Sequence, residues 1–251
     1  MAEEVRDIAG RPWPKSPFAP IVERAYRVFD YPTPLTTGVC DCCTDRRLMR
    51  ELLTLDRRAI GAEHFRDWYD GAYEAPLPRT LWGYFLPRLL DLTSQGVEIS
   101  TVAFELTLSR YPTGAREAWS EPEWIVLDAW QRAFLADVPM QDQLSLDDVL
   151  CMFDTGGWPL QALATQVLAW PVEALIDSLW RDWCRCFTAP TILVTPFWGD
   201  EEAAMDFYTS DGLSARIESF ALVGTGSEER VRKAWDLVAT LEMYRGRRPA
   251  R

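Results

Sequence analysis

The chain has 251 residues, 48% hydrophobic and 25% charged, an ordinary globular balance that excludes wholesale disorder, collagen-like repeats and a disulfide miniprotein. Its formal charge of -12 repels phosphate backbones and argues against nucleic-acid binding, while a single His excludes any site built on two imidazoles. No apolar run reaches the length of a bilayer span, and Met1 to Asp7 lacks the basic and apolar regions of a leader, so a cytoplasmic protein without membrane contact is expected.

Residues 1–16, with Pro12 and Pro14 around Trp13, are expected to form an extended arm anchored by the indole. The apolar spacing of Val22, Tyr26 and Phe29 predicts a helix from Phe18 to Phe29, ended by Tyr31-Pro-Thr-Pro. A loop with Gly38 and three cysteines follows, and Asp45 or Thr44 is placed to cap a helix through Leu53. Ala62 to Glu74 reads as the next helix. On it Glu63, Asp67, Asp70 and Glu74 step by four, three and four, forming an acidic ridge opposite Phe65, Trp68 and Ala72.

Pro78 is placed to start a helix that runs to about Ser94 with Pro87 inside it. The Pro87 ring crowds the carbonyl of Gly83, at a cost of about 3 kcal/mol and with a bent axis as the expected result. Glu121 to Asp137 is apolar almost all round, the mark of a central helix. Ser145-x-x-Asp148 is a capping pair for another. Leu160–Trp170 and Val172–Phe187 are predicted as two helices split at Pro171. On the second, Glu173, Asp177, Arg181 and Arg185 read as a solvated face. Val97 to Thr101 and Thr191 to Thr195 read as loops or edge pieces, and Ser227 caps a last helix through Leu241. The expected class is all-α, with ten to twelve helices. A single domain over 17–245 and a basic tail at 246–251 are expected, as a HEAT-like α-α array or an irregular bundle.

Chemistry concentrates in Cys40-Asp-Cys-Cys43. Cys40 and Cys43 have the two-residue gap that presents two thiolates to a metal or forms a redox pair, with Cys42 between them. Zinc would draw further ligands from Cys184, Cys186, His64 or Asp45, although residues two apart on a helix, like the first two, point about 200° apart. Cys151 lies in an apolar stretch and reads as a core thiol. His64 with Asp67 has the composition of a base and its orienting carboxylate. The alternative is a half-buried His making one hydrogen bond. Gly224-Thr-Gly226 lacks the Lys of a P-loop, and Glu228 and Glu229 stand where a phosphate would sit. Trp198, in the loop Pro196-Phe-Trp-Gly, is covered either by the core or by a partner or ligand.

The stretch Pro34-Leu-Thr-Thr-Gly-Val-Cys40 through Asp45, followed by Phe85-Leu-Pro-Arg-Leu-Leu-Asp-Leu92, resembles an uncharacterised bacterial all-helical family with a CxxC-like element before a Phe-Leu-Pro-Arg helix. The likeness covers residues 32–95 and implies an all-α fold and a bacterial origin, but no activity. Tyr84 stands where that family often carries His, so a role for that imidazole is missing here. The leading expectation is a non-catalytic helical scaffold without cofactor. It would bind a protein partner, a basic one by charge, through Glu63, Asp67, Asp70, Glu74 and Trp198. The alternative is a zinc-binding or redox-sensitive module at Cys40, Cys42 and Cys43.

Overall fold

Prolines and short polar side chains open most of the helices. The computed structural model describes residues 5–40, 42–73, 76–185, 190, 192, 195–224 and 226–247; among these there is no strand, and the class is all-α. The chain divides into two compact units, residues 1–134 with 155–158, and residues 135–154 with 159–251.

The first unit contains α1 (Phe18–Val28), α2 (Arg46–Thr54), α3 (Ala62–Asp70), α4 (Arg79–Ser94) and most of α5 (Glu121–Asp137). The Asp45 carboxylate caps α2 by accepting from the backbone N–H groups of Arg47 at 2.7 Å and Leu48 at 3.3 Å. Helix α3 stops at Asp70, one turn short of the predicted Glu74, which lies outside the described residues. Past Asp70 the backbone turns extended at Gly71, and Tyr73 forms an antiparallel bridge with Val39. That pairing uses the amides a longer helix would need.

Helix α4 is buried along nearly its whole length and packs against α1. It runs unbroken through Pro87. Gly83, whose carbonyl loses its donor to Pro87, lies under the Tyr31 ring, and a Cβ there would collide with it. The interior of this unit is aromatic. Trp68 stacks on Trp82 and meets Phe65 and Phe85, and Trp130 packs on Phe134. Three of the buried indoles find acceptors: Trp68 the Thr37 carbonyl at 2.9 Å, Trp82 the Thr113 hydroxyl at 2.9 Å, and Trp130 the Ser94 hydroxyl at 2.8 Å.

The N-terminal arm is a folded loop rather than an extended strip. Buried Asp7 accepts from the Arg11 backbone N–H at 2.8 Å and from Arg11 Nε at 2.7 Å, and Ile8 N–H donates to the Ser94 carbonyl at 2.8 Å. Its prolines open one short 3-10 turn, Trp13–Lys15, and leave the tight turn that Asp7 closes.

A second buried carboxylate, Glu123 on α5, accepts from Ser120 N–H at 2.7 Å, from the Tyr31 hydroxyl and from Arg79. Burial raises its pKa, but the hydrogen bonds from Ser120 and Tyr31 and the Arg79 charge outweigh that and hold it below the usual range. A depressed carboxylate contributes stability above its unfolded pKa and loses it as pH falls through the folded value. Glu123→Gln is therefore expected to lower stability by about 2 kcal/mol at pH 7. The difference from wild type should shrink below about pH 4, as chemical denaturation at a series of pH values would show.

The second unit contains most of α6 (Leu146–Thr155), then α7 (Leu160–Leu168), α8 (Val172–Trp180), α9 (Glu201–Tyr208), α10 (Asp211–Val223) and α11 (Glu228–Arg247). Here α8 packs on both α10 and α11, and α7 on α9. Contacts that skip intervening helices, like α1 on α4, thus occur within each unit. Ser145 and Asp148 cap α6 reciprocally, at 3.0 and 3.1 Å, and Ser227 Oγ accepts from Arg230 N–H at the start of α11.

The predicted helix Val172–Phe187 instead changes at Trp180 into a π-helical turn, Arg181–Arg185. Two buried anchors hold that turn. Asp182 accepts from Leu146 N–H at 2.8 Å, and Arg181 donates to the Gln141 carbonyl. The expected solvated face is consequently solvated only in part, with Arg185 exposed. Arg181 is largely buried, and Asp177 accepts from Arg230 at 2.9 Å and Lys233 at 3.0 Å on α11. Cys186 and Phe187, and most of Thr191 to Thr195, lie outside the described residues. The expected basic tail shortens too, because α11 continues to Arg247 and Arg245 is tied to the Thr209 carbonyl at 3.0 Å.

Candidate thiol site

The cysteine loop is fastened at both ends to the region of α3. Upstream, Val39 pairs with Tyr73, Cys40 N–H donates to the Ala72 carbonyl at 2.8 Å, and the Trp68 indole holds the Thr37 carbonyl. Downstream, Asp45 N–H donates to Asp67 Oδ2 at 2.8 Å before the chain enters α2. Within the loop, Cys43 N–H and the Thr44 hydroxyl both donate to the Cys40 carbonyl, each at 3.3 Å. Gly71 is what lets the loop come this close. A Cβ there would stand 2.8 Å from Thr44 Cγ2 and 2.9 Å from Val39 Cβ, nearer than real carbons approach. Gly71→Val should therefore displace the loop, costing about 1–3 kcal/mol and speeding alkylation of Cys43. Thermal denaturation and timed thiol labelling measure the two effects.

The turn decides which sulfurs meet. Cys40 and Cys42 form a disulfide, with Cα atoms 5.4 Å apart. The Cys43 sulfur lies 3.4 Å from that of Cys42, and all three sulfurs fall within 4.8 Å of one another. The two-residue gap had singled out Cys40 with Cys43. The structure pairs Cys40 with Cys42, because the turn closed by Cys43 N–H swings the Cys42 amide to within 3.3 Å of the Cys40 sulfur. Cys42 and Cys43 are exposed and Cys40 is half-buried. Among the described residues the cluster has three sulfurs, two of them joined in the disulfide, and no carboxylate or imidazole. Cys184 belongs to the other unit, half-buried beside Thr240, and burial pushes its thiol pKa up. Cys151 is buried in α6.

His64 is not paired with Asp67. Its Nδ1 accepts from Gly61 N–H at 3.1 Å, and its Nε2 lies 3.0 Å from Glu51 Oε2. With Nδ1 accepting, the neutral ring carries its proton on Nε2 and donates it to Glu51. The hydrogen bond from His64 is the largest influence holding Glu51 below its ordinary pKa, with burial opposing and Arg47 assisting. The ring is buried, so it serves α3 as a cap and a tie to α2, and no base role is left for it. Sequence spacing missed Glu51 because it sits 13 residues upstream on another helix.

The acidic ridge and the loop tryptophan, expected as a docking face, fare differently. Asp67 is half-buried and holds Asp45, whereas Glu63 and Asp70 stay exposed, the latter accepting from the Thr101 hydroxyl. Trp198 is buried, with its indole N–H donated to Asp147 Oδ1 at 3.2 Å. The core covers it, and the buried Asp147 carboxylate on α6 accepts its N–H.

No protein-family model matches the chain, and neither the curated proteins nor the solved structures give a match.

Proposed function

We propose that this chain works through the 40–43 loop as a redox-gated thiol module whose reduced form binds a soft divalent metal ion such as zinc. The supporting observation is the gathering of three sulfurs within 4.8 Å in an exposed, doubly anchored turn. In the oxidised form the Cys40–Cys42 bond withholds two of the three ligands. An external dithiol reverses this: it gives two electrons and two protons to the disulfide, leaves as a disulfide itself, and Cys40 and Cys42 become thiols. A reducing compartment such as the cytoplasm favours that form. Three thiolates occupy three positions of a tetrahedral zinc site, leaving the fourth to water or an outside ligand. Metal binding releases the thiol protons, so affinity rises with pH.

Metal analysis after equilibration with zinc and gel filtration tests the reading. The chain reduced by a dithiol should retain about one zinc, while the chain oxidised by glutathione disulfide should retain almost none. Equal zinc in the two forms, or none in either, overturns it.

A further inference from the structure

A second ionisable centre lies in the other unit and is independent of the thiol loop. Asp147, the second residue of α6, is 3% exposed. One carboxylate oxygen accepts from Thr195 N–H and the other from the Trp198 indole at 3.2 Å. The Thr195 hydroxyl accepts from Phe197 N–H at 3.1 Å and lies 3.9 Å from the Cys151 sulfur, also on α6. The segment 195–198 is thus fastened to α6 largely through one side chain.

The surroundings of that carboxylate are unusual. Tyr208, the last residue of α9, is fully enclosed, and its hydroxyl faces Asp147 without closing a well-formed hydrogen bond. Asp148 on the same helix and Asp182 on the π-helical turn add acidic charge. Among the described residues Arg181, on the same turn as Asp182, is engaged by Asp182 at 3.1 Å and by the Gln141 carbonyl. A negative charge here is therefore enclosed away from water and among further acids, which favours the neutral carboxyl against the donors that face it.

We infer that Asp147 is a proton-operated latch: in its neutral form it closes the segment 195–198 onto α6, and on ionising it releases that segment to water. Burial is the largest influence on the group. It lifts the carboxyl to about 7, with Asp148 assisting and the donors Thr195, Tyr208 and Trp198 opposing. A carboxyl whose pKa is raised in the closed state binds its proton more tightly there than in the open state. Closure therefore weakens as pH rises from the ordinary value towards 7 and levels off above it. The opening constant grows about tenfold per pH unit across that window.

Hydrogen exchange of peptides covering 195–200, corrected for intrinsic rates, reads this directly. Protection should fall about tenfold per unit between pH 5 and 6.5 and level off by pH 8, while α10 peptides keep theirs. Asp147→Asn should make the protection of 195–200 independent of pH. Trp198→Phe keeps the packing and removes one donor, so it should move the levelling-off point upward even if the Asn variant folds poorly. Protection that does not change between pH 5 and 8 in the wild type, or an Asp147 carboxyl carbon titrating below pH 5 by NMR, overturns the latch.

Discussion

Trp68→Ala is expected to destabilise the first unit by about 3–5 kcal/mol, the largest loss from any single substitution considered. The indole is fully buried, stacked on Trp82 and in edge or tilted contact with Phe65, Tyr69, Tyr73 and Phe85. Truncation leaves a cavity that five aromatic neighbours, themselves held by packing, cannot fill. It also strands the Thr37 carbonyl, whose hydrogen bond is worth about 1 kcal/mol. Because Thr37 opens the segment that carries the cysteines, the cost has a chemical readout. Melting should begin roughly 10 °C earlier, and Cys43 should label faster at temperatures where the fold still holds. Trp68→Phe separates the two effects: most of the packing returns, and the loop tether does not.

Cys42→Ser is expected to abolish the disulfide and weaken zinc binding by about a hundredfold or more, since each thiolate carries a large share of such a site's affinity. Cys42 is the shared sulfur, bonded to Cys40 and 3.4 Å from Cys43. Cys43→Ser should instead leave the disulfide intact and weaken only the metal. Competition with a chromophoric chelator gives the affinities, and alkylation counting gives the thiols. The fold should tolerate both changes, because Cys42 and Cys43 are exposed and the turn is held by backbone and Thr44 hydrogen bonds.

Local signals proved legible because they act within one turn of chain. Asp45, Ser145 and Ser227 each cap the helix they precede. Pro78 opens α4, and the apolar run read for Glu121 to Asp137 matches the bounds of α5. What spacing could not show came from partners distant in sequence. Helix α3 ends early because Val39 claims Tyr73, and His64 turns to Glu51 rather than Asp67. The run after Val172 becomes a π-helical turn because Leu146 and Gln141, some forty residues upstream, need Asp182 and Arg181. Trp198 is covered for the same reason, by an aspartate 51 residues away. The thiol cluster falls between these cases. Its residues were evident in the sequence, but the pairing within it depends on a turn that the spacing of Cys40 and Cys43 does not encode.

The most direct test is differential alkylation of the native chain. The protein is equilibrated in oxidising glutathione and labelled with one reagent, then reduced and labelled with a second. Fragment spectra of the 40–45 peptide then locate each label. The account predicts the first label on Cys43 and the second on both Cys40 and Cys42. The first label on all three sulfurs, or on Cys42 with Cys40 and Cys43 protected, would contradict it.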